Sequence, residues 1–171
     1  MADLIGVPIV PKQQMRFTVS IPGVQGAKFR DMSELSADVA ESQIFHGGSP
    51  IPFKAPARVT MSDVTLSRGA INNGSLFRWY ADTVAGIITG AAPEAFKRPI
   101  NIFERSRSGK VVNVWNLIGC WVKKYVAGEW NNESDDFVIE QVTLAYDYFV
   151  PVRLEGAPTP EAFGVIAANL G

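Results

Sequence analysis

Residues 137–149 read Phe137-Val-Ile-Glu-Gln-Val-Thr-Leu-Ala-Tyr-Asp-Tyr-Phe149, and this stretch decides the fold. Val138, Val142, Leu144, Tyr146 and Tyr148 occupy one side of a period-two alternation, and Gln141, Thr143, Ala145 and Asp147 the other. Side chains that switch faces at every step are the signature of a half-buried strand. Glu140 breaks the pattern, a carboxylate at an apolar position. It has to be paired, or face water across an interface.

The neighbouring segments repeat the theme. Asn131-Asn-Glu-Ser-Asp-Asp136 is a turn leading into the strand. Upstream, Pro99–Glu104 and Val111–Ile118 flank the polar tip Ser106–Gly109 and predict a hairpin. The second arm runs on to Val126, with Gly119 in mid-strand predicting a bulge or bend. Near the start, Phe17, Val19 and Ile21 alternate with Arg16, Thr18 and Ser20 as another strand, ended by Pro22-Gly23.

One helix interrupts the strands. Asn72, Asn73 or Ser75 is suited to cap it. Leu76, Trp79, Tyr80 and Thr83, continued by Val84, Ile87 and Ile88, form an apolar stripe that a sheet should cover, with fraying near Gly86 and Gly90. Leu76, Trp79 and Tyr80 are the expected packing residues. Ahead of the helix the signal is weaker. Residues 32–44 read as a twisted strand carrying Leu35, Val39 and Ile44. His46-Gly-Gly-Ser-Pro50 breaks it, and Pro50, Pro52 and Pro56 make 44–57 a long loop, of the kind that is functional or ordered by a partner. Val59–Leu66 is β again, closed by a turn at Arg68-Gly69. The pattern predicts a mainly β chain, a β-barrel-like sandwich of antiparallel strands with one flanking α-helix. It divides into an extended arm (1–14), the main domain (15–152) and a tail rich in Ala, Pro and Gly (153–171).

Composition narrows the function. The 171 residues are 47% hydrophobic and 19% charged, enough for one domain with a real core. A formal net charge of −1 provides no bulk attraction to a polyanion. The N-terminus lacks a basic n-region, and no apolar run is long enough to span a bilayer. The expectation is a soluble chain made in a reducing compartment, without stable membrane insertion.

Catalytic chemistry finds little to work with. His46 is the sole histidine and has no nucleophile motif beside it. Glu133, Asp135 and Asp136 lack the spaced oxygens of a calcium loop. Cys120 has Lys123 and Lys124 nearby but no local base, so it reads as a strand cysteine. The phosphate-cradling glycine motifs are missing from the sequence. Lys97, Arg98, Arg105, Arg107 and Lys110, with Phe103 among them, form the basic cluster; a charged hairpin tip is ordinarily solvated. The reading is no enzyme, no cofactor and no metal.

Three ordered segments resemble the tail tube family of contractile phages and related injection machines. They are Arg16-Phe-Thr-Val-Ser-Ile-Pro-Gly-Val24 with Phe29-Arg-Asp-Met-Ser-Glu-Leu35, then Val64-Thr-Leu-Ser-Arg-Gly-Ala70 with Leu76-Phe-Arg-Trp-Tyr80. The last is Val114–Tyr125 followed by Val138–Asp147. The likeness covers about residues 15–150. It departs from the family at Leu35, which lacks the usual preceding glycine, at Cys120 in place of alanine and at Val122 in place of proline.

The resemblance implies homo-hexameric rings stacking into a helical tube. A sheath would lie outside, with a baseplate and a tail terminator at the ends. DNA or protein cargo would pass through the lumen without sequence-specific binding. The tube would reside in a virion tail assembled in the host cytoplasm. Under it, Ile44, Phe45, His46, Ile51, Phe53 and Lys54 are candidates for ring-to-ring contact. Glu140, Gln141, Thr143 and Asp147 are candidates for a lumen or interface strand. Competing readings are a tube-initiator or baseplate ring that does not elongate, and a monomeric nucleic-acid-binding barrel centred on Arg105 and Arg107. A hydrolase dependent on His46 is the reading with least support.

Overall fold

The computed structural model describes residues 16–25, 28–48, 50–70, 74–128 and 138–153. Its strands are β1 (Arg16–Ser20), β2 (Asp31–Met32), β3 (Ala37–Ile44), β4 (Phe53–Met61), β5 (Val64–Gly69), β6 (Arg98–Arg105), β7 (Val111–Val126), β8 (Ile139–Ala145) and β9 (Tyr148–Arg153). One helix, α1 (Ser75–Thr89), lies between β5 and β6. The arm of residues 1–14, Asn72, Asn73, the 131–136 turn with its acidic residues, and the tail from residue 154 lie outside the described residues.

The long strand β7 organises the rest. Antiparallel pairing runs β1-β6-β7-β8-β5-β2, with β9 also on β7. The first half of β7 pairs with β6 and β9, and its second half with β8. Gly119 separates the halves at φ +68°, a left-handed conformation that favours glycine. The β6 register slips there, as the mid-strand glycine predicts. The Asp147 carboxylate occupies the space a Cβ on Gly119 would need, and the Asp147 N–H donates to the Ile118 carbonyl at 2.9 Å. This corner also divides the 137–149 stretch. It is β8 and then β9 with a break at Tyr146-Asp147, rather than one strand.

The alternation read from β8 holds through the corner's near side: Glu140, Val142, Leu144 and Tyr146 are buried. They join a single core with Val19, Val64, Leu66, Leu76, Trp79, Ile100, Ile102, Leu117, Cys120 and Val122. Each such large apolar side chain contributes about 1.5–3 kcal/mol on burial. The fold is mainly β and antiparallel with one flanking helix.

The helix buries a narrower stripe than its sequence suggests. Leu76, Trp79, Thr83 and Gly86 face the sheet. The Trp79 indole N–H donates to the Phe96 carbonyl at 3.0 Å, and the Arg98 guanidinium lies over its ring at 5.4 Å. Tyr80 is half-buried beside Phe77 and Tyr125. Ile87 and Ile88 project past the sheet and are 63% and 78% exposed, which corrects the expected stripe. The start is also different. Gly74 stands at the N-cap without a side-chain cap, and Ser75 is the first helical residue. The helix does not fray at Gly86, where the absent side chain admits the Phe96 ring. It ends on left-handed Gly90, with Gly90 and Ala91 N–H groups donating to Ile87 and Gly86 carbonyls.

Two further expectations are corrected. The proline-rich 44–57 segment is no simple loop: from Phe53 it is β4, which pairs with β3 in a separate two-stranded sheet. Proline is tolerated on an edge strand because its missing N–H faces no partner, and Pro56 sits beside the bulge between Val39 and Glu41. Arg68 and Gly69 are the end of β5, not a turn, and register Arg68 opposite Glu140.

Candidate functional site

The β3–β4 hairpin is the first candidate. Every residue of β3 is exposed, as is most of β4, and neither strand pairs outside the hairpin. Its end carries Ile44, Phe45, Ile51 and Phe53, with Phe45 and Ile51 each 72% exposed. His46 is also exposed and meets the Phe53 ring edge-on, centroids 5.3 Å apart. Nearer the base, Val39 and Val59 face each other across the register and are open as well. Lys54 is tied to Glu41 at 3.0 Å. An apolar tip on a projecting two-stranded arm marks an interaction surface. The inter-ring candidates named from sequence therefore fall together, five apolar or aromatic groups and one paired lysine.

Glu140 is placed differently. It is 5% exposed, inside the protomer, and its Oε2 accepts from Arg68 Nε at 2.7 Å. The Tyr125 hydroxyl donates to Oε1 at 2.5 Å. Arg68 is itself 1% exposed and lies 6.0 Å from the Phe29 ring. Of the alternatives left open by the sequence, pairing is realised, and a carboxylate so enclosed presents nothing to a lumen. Burial and the Glu140 hydrogen bond push the Tyr125 phenol up to about 12. Arg68 is the residue the sequence reading missed. Its signal was present: Val64, Leu66 and Arg68 share one strand face, so the arginine sits at an apolar position just as Glu140 does.

Gln141 and Thr143 do face outward. They are flanked in register by Ser67 and Thr65 on β5, and the Thr65 and Thr143 hydroxyls lie 3.2 Å apart. The result is a small, uncharged polar strip on the outer face of β5 and β8. Asp147, by contrast, holds the Lys97 ammonium through both oxygens at 3.0 Å and belongs to the Gly119 corner.

The basic cluster is largely engaged within the protomer. Lys97 takes Asp147, Arg98 takes Asp82 and the Pro22 carbonyl, and Arg105 bonds Thr18 and the Gly109 carbonyl. Cys120 is fully buried, and burial followed by the Asp147 charge pushes its thiol up to about 12. Such a thiol is a packing group. Among the described residues no cluster of three His, Cys, Asp or Glu side chains could hold a metal, and no helix is long and apolar enough to cross a membrane.

The fold is similar to solved chains from contractile assemblies. One is in the cryo-EM structure of the anti-feeding prophage cap, TM-score 0.69 at 19% identity, covering 88% of this chain and 98% of that one. Another is in the anti-feeding prophage baseplate, TM-score 0.68 at 18% identity, covering 85% and 97%. A third is in the sheath–tube complex of an extracellular contractile injection system, PVC, TM-score 0.62 at 22% identity, covering 86% and 93%. At these identities the likeness concerns the fold. A search of curated proteins found no match. The family model described as T4-like virus tail tube protein gp19 matches residues 13–150, which takes in the helix and all but the end of the last strand, and the chain belongs to that family.

Proposed function

We propose that this chain is the repeating unit of a tail tube. Copies close into hexameric rings, rings stack, and a contractile sheath outside drives the tube through an envelope while DNA or protein cargo passes along the lumen. The protein works by assembling, not by turnover. The β3–β4 hairpin carries this reading. A separate two-stranded sheet with an apolar tip is a poor use of a solitary chain and a natural arm for reaching a neighbour.

Ile44, Phe45, His46, Ile51, Phe53 and Lys54 then make the ring-to-ring contact, assisted by the arm of residues 1–14. The outward strip of Gln141, Thr143, Thr65 and Ser67 suits a lumen wall, because uncharged hydroxyl and amide groups neither hold phosphates nor repel a mixed-charge protein. Open sheet edges at β1 and β2 are paired when neighbouring protomers continue the sheet, which removes their aggregation hazard.

A second reading is a ring at the end of a tube, an initiator or terminator that does not elongate. The likeness to baseplate and cap chains, as strong as that to the sheath–tube chain, favours keeping it. Sedimentation of the purified chain tests the proposal: a hexamer of the 18.6 kDa protomer, or larger, is expected. A monomer at all concentrations would contradict both readings, and a hexamer that never grows would select the second.

A further inference from the structure

The hairpin tip needs a complementary surface, and symmetry restricts where that surface lies. If one tip met another tip, the contact would be isologous and assembly would stop at a dimer. A ring or filament requires a heterologous contact, in which the tip meets a different patch on the next copy.

The described residues offer one such patch at the free end of α1. Ile87 and Ile88 are exposed beyond the sheet, Val84 is half-buried beside them, and Ala91 and Ala92 continue the surface past the Gly90 stop. From Val84 to Pro93 the chain has no charged residue. The tip matches it: from Gln43 to Phe53 there is no Asp, Glu, Lys or Arg. Joining the two would bury apolar groups on both sides without desolvating a formal charge, which is the least costly way to exclude water.

We propose that the apolar end of α1, centred on Ile87 and Ile88, receives the β3–β4 tip of a second copy of this chain. The inference rests on the tube reading and names the surface that reading leaves open. It also explains why the helix outruns the sheet beneath it. The overhang is a dock, and Gly90 ends the helix where the incoming tip would otherwise meet continuing backbone.

Cysteine cross-linking tests it. Native Cys120 is buried and does not compete. Phe45→Cys, Ile88→Cys and the double variant are purified as full chains, imaged for assemblies, and treated with a short flexible bis-maleimide. The expected result is a covalent ladder beyond dimer in the double variant, dimers on mixing the two single variants, and monomer in either single variant alone. Cross-linked dimers from Phe45→Cys alone would show tip-to-tip contact and overturn the proposal. Assemblies that form without a ladder would overturn it while leaving the tube reading intact. Absence of any assembly from the unmodified protein would overturn both. Ile88→Asp supplies an independent arm: its exposed site leaves folding intact, and assembly should fall at least tenfold in the pelleted fraction. Unchanged pelleting would count against the dock.

Discussion

Replacing Glu140 with alanine should destabilise the protomer itself. Arg68 and Glu140 are 1% and 5% exposed, joined at 2.7 Å, and the Tyr125 hydroxyl adds a second bond to the same carboxylate. Glu140→Ala leaves the Arg68 guanidinium enclosed without that carboxylate and removes the acceptor of Tyr125. Breaking a buried pair from one side costs about 3–5 kcal/mol. That is a large part of the roughly 5–15 kcal/mol that holds a domain folded. For a chain of this size, Tm should fall by about 6–20 °C. Assembly would mask the effect by mass action, so the comparison belongs on a monomeric background such as Phe45→Asp. Urea unfolding followed by tryptophan fluorescence reads it. The paired replacement Arg68→Met with Glu140→Leu should recover most of the loss, because both charges leave the interior together. A single-variant loss below about 1 kcal/mol, or a double variant as unstable as the sum of the singles, would refute the buried pairing.

Gly119→Ala should cost about 2–4 kcal/mol in the same unfolding assay. The added Cβ is strained at φ +68° and falls on the Asp147 carboxylate that holds Lys97. Stability should decline as pH rises from about 9 toward 12. The Cys120 thiol, and above pH 10 the Tyr125 and Tyr146 phenols, keep their protons when folded but release them when unfolded. Urea midpoints across that range check the sign, and Cys120→Ala should flatten the first part of the slope. Phe45→Asp together with Phe53→Asp should abolish pelleted assemblies while shifting protomer stability by no more than about 0.5 kcal/mol, since both side chains are exposed.

Much of this architecture could be read from residue patterns because the relevant strands are half-buried. β1, β8 and the β6–β7 hairpin alternate cleanly, and Gly119 announces its bend. The hairpin arm was harder. β3 and β4 have no buried face, so no apolar alternation marks them, and Pro50, Pro52 and Pro56 point to a loop. What proline excludes is a central strand, not an edge. Arg68 was hidden by Gly69 beside it, which suggests a turn. Its position two residues after Leu66 was the better guide, and its opposite charge to Glu140 pairs the two strands. The length of α1's covered stripe depends on where the sheet ends, a tertiary matter that Ile87 and Ile88 cannot report. The outward strip of Gln141 and Thr143 was legible, but their neighbours Thr65 and Ser67 needed the register of β5 against β8.

Negative-stain imaging of the purified chain tests the central claim most directly. The account predicts sixfold rings with an open centre that stack into tubes at higher concentration, and their loss in Phe45→Asp. A uniform field of isolated protomers, or assemblies indifferent to the hairpin tip, would contradict it.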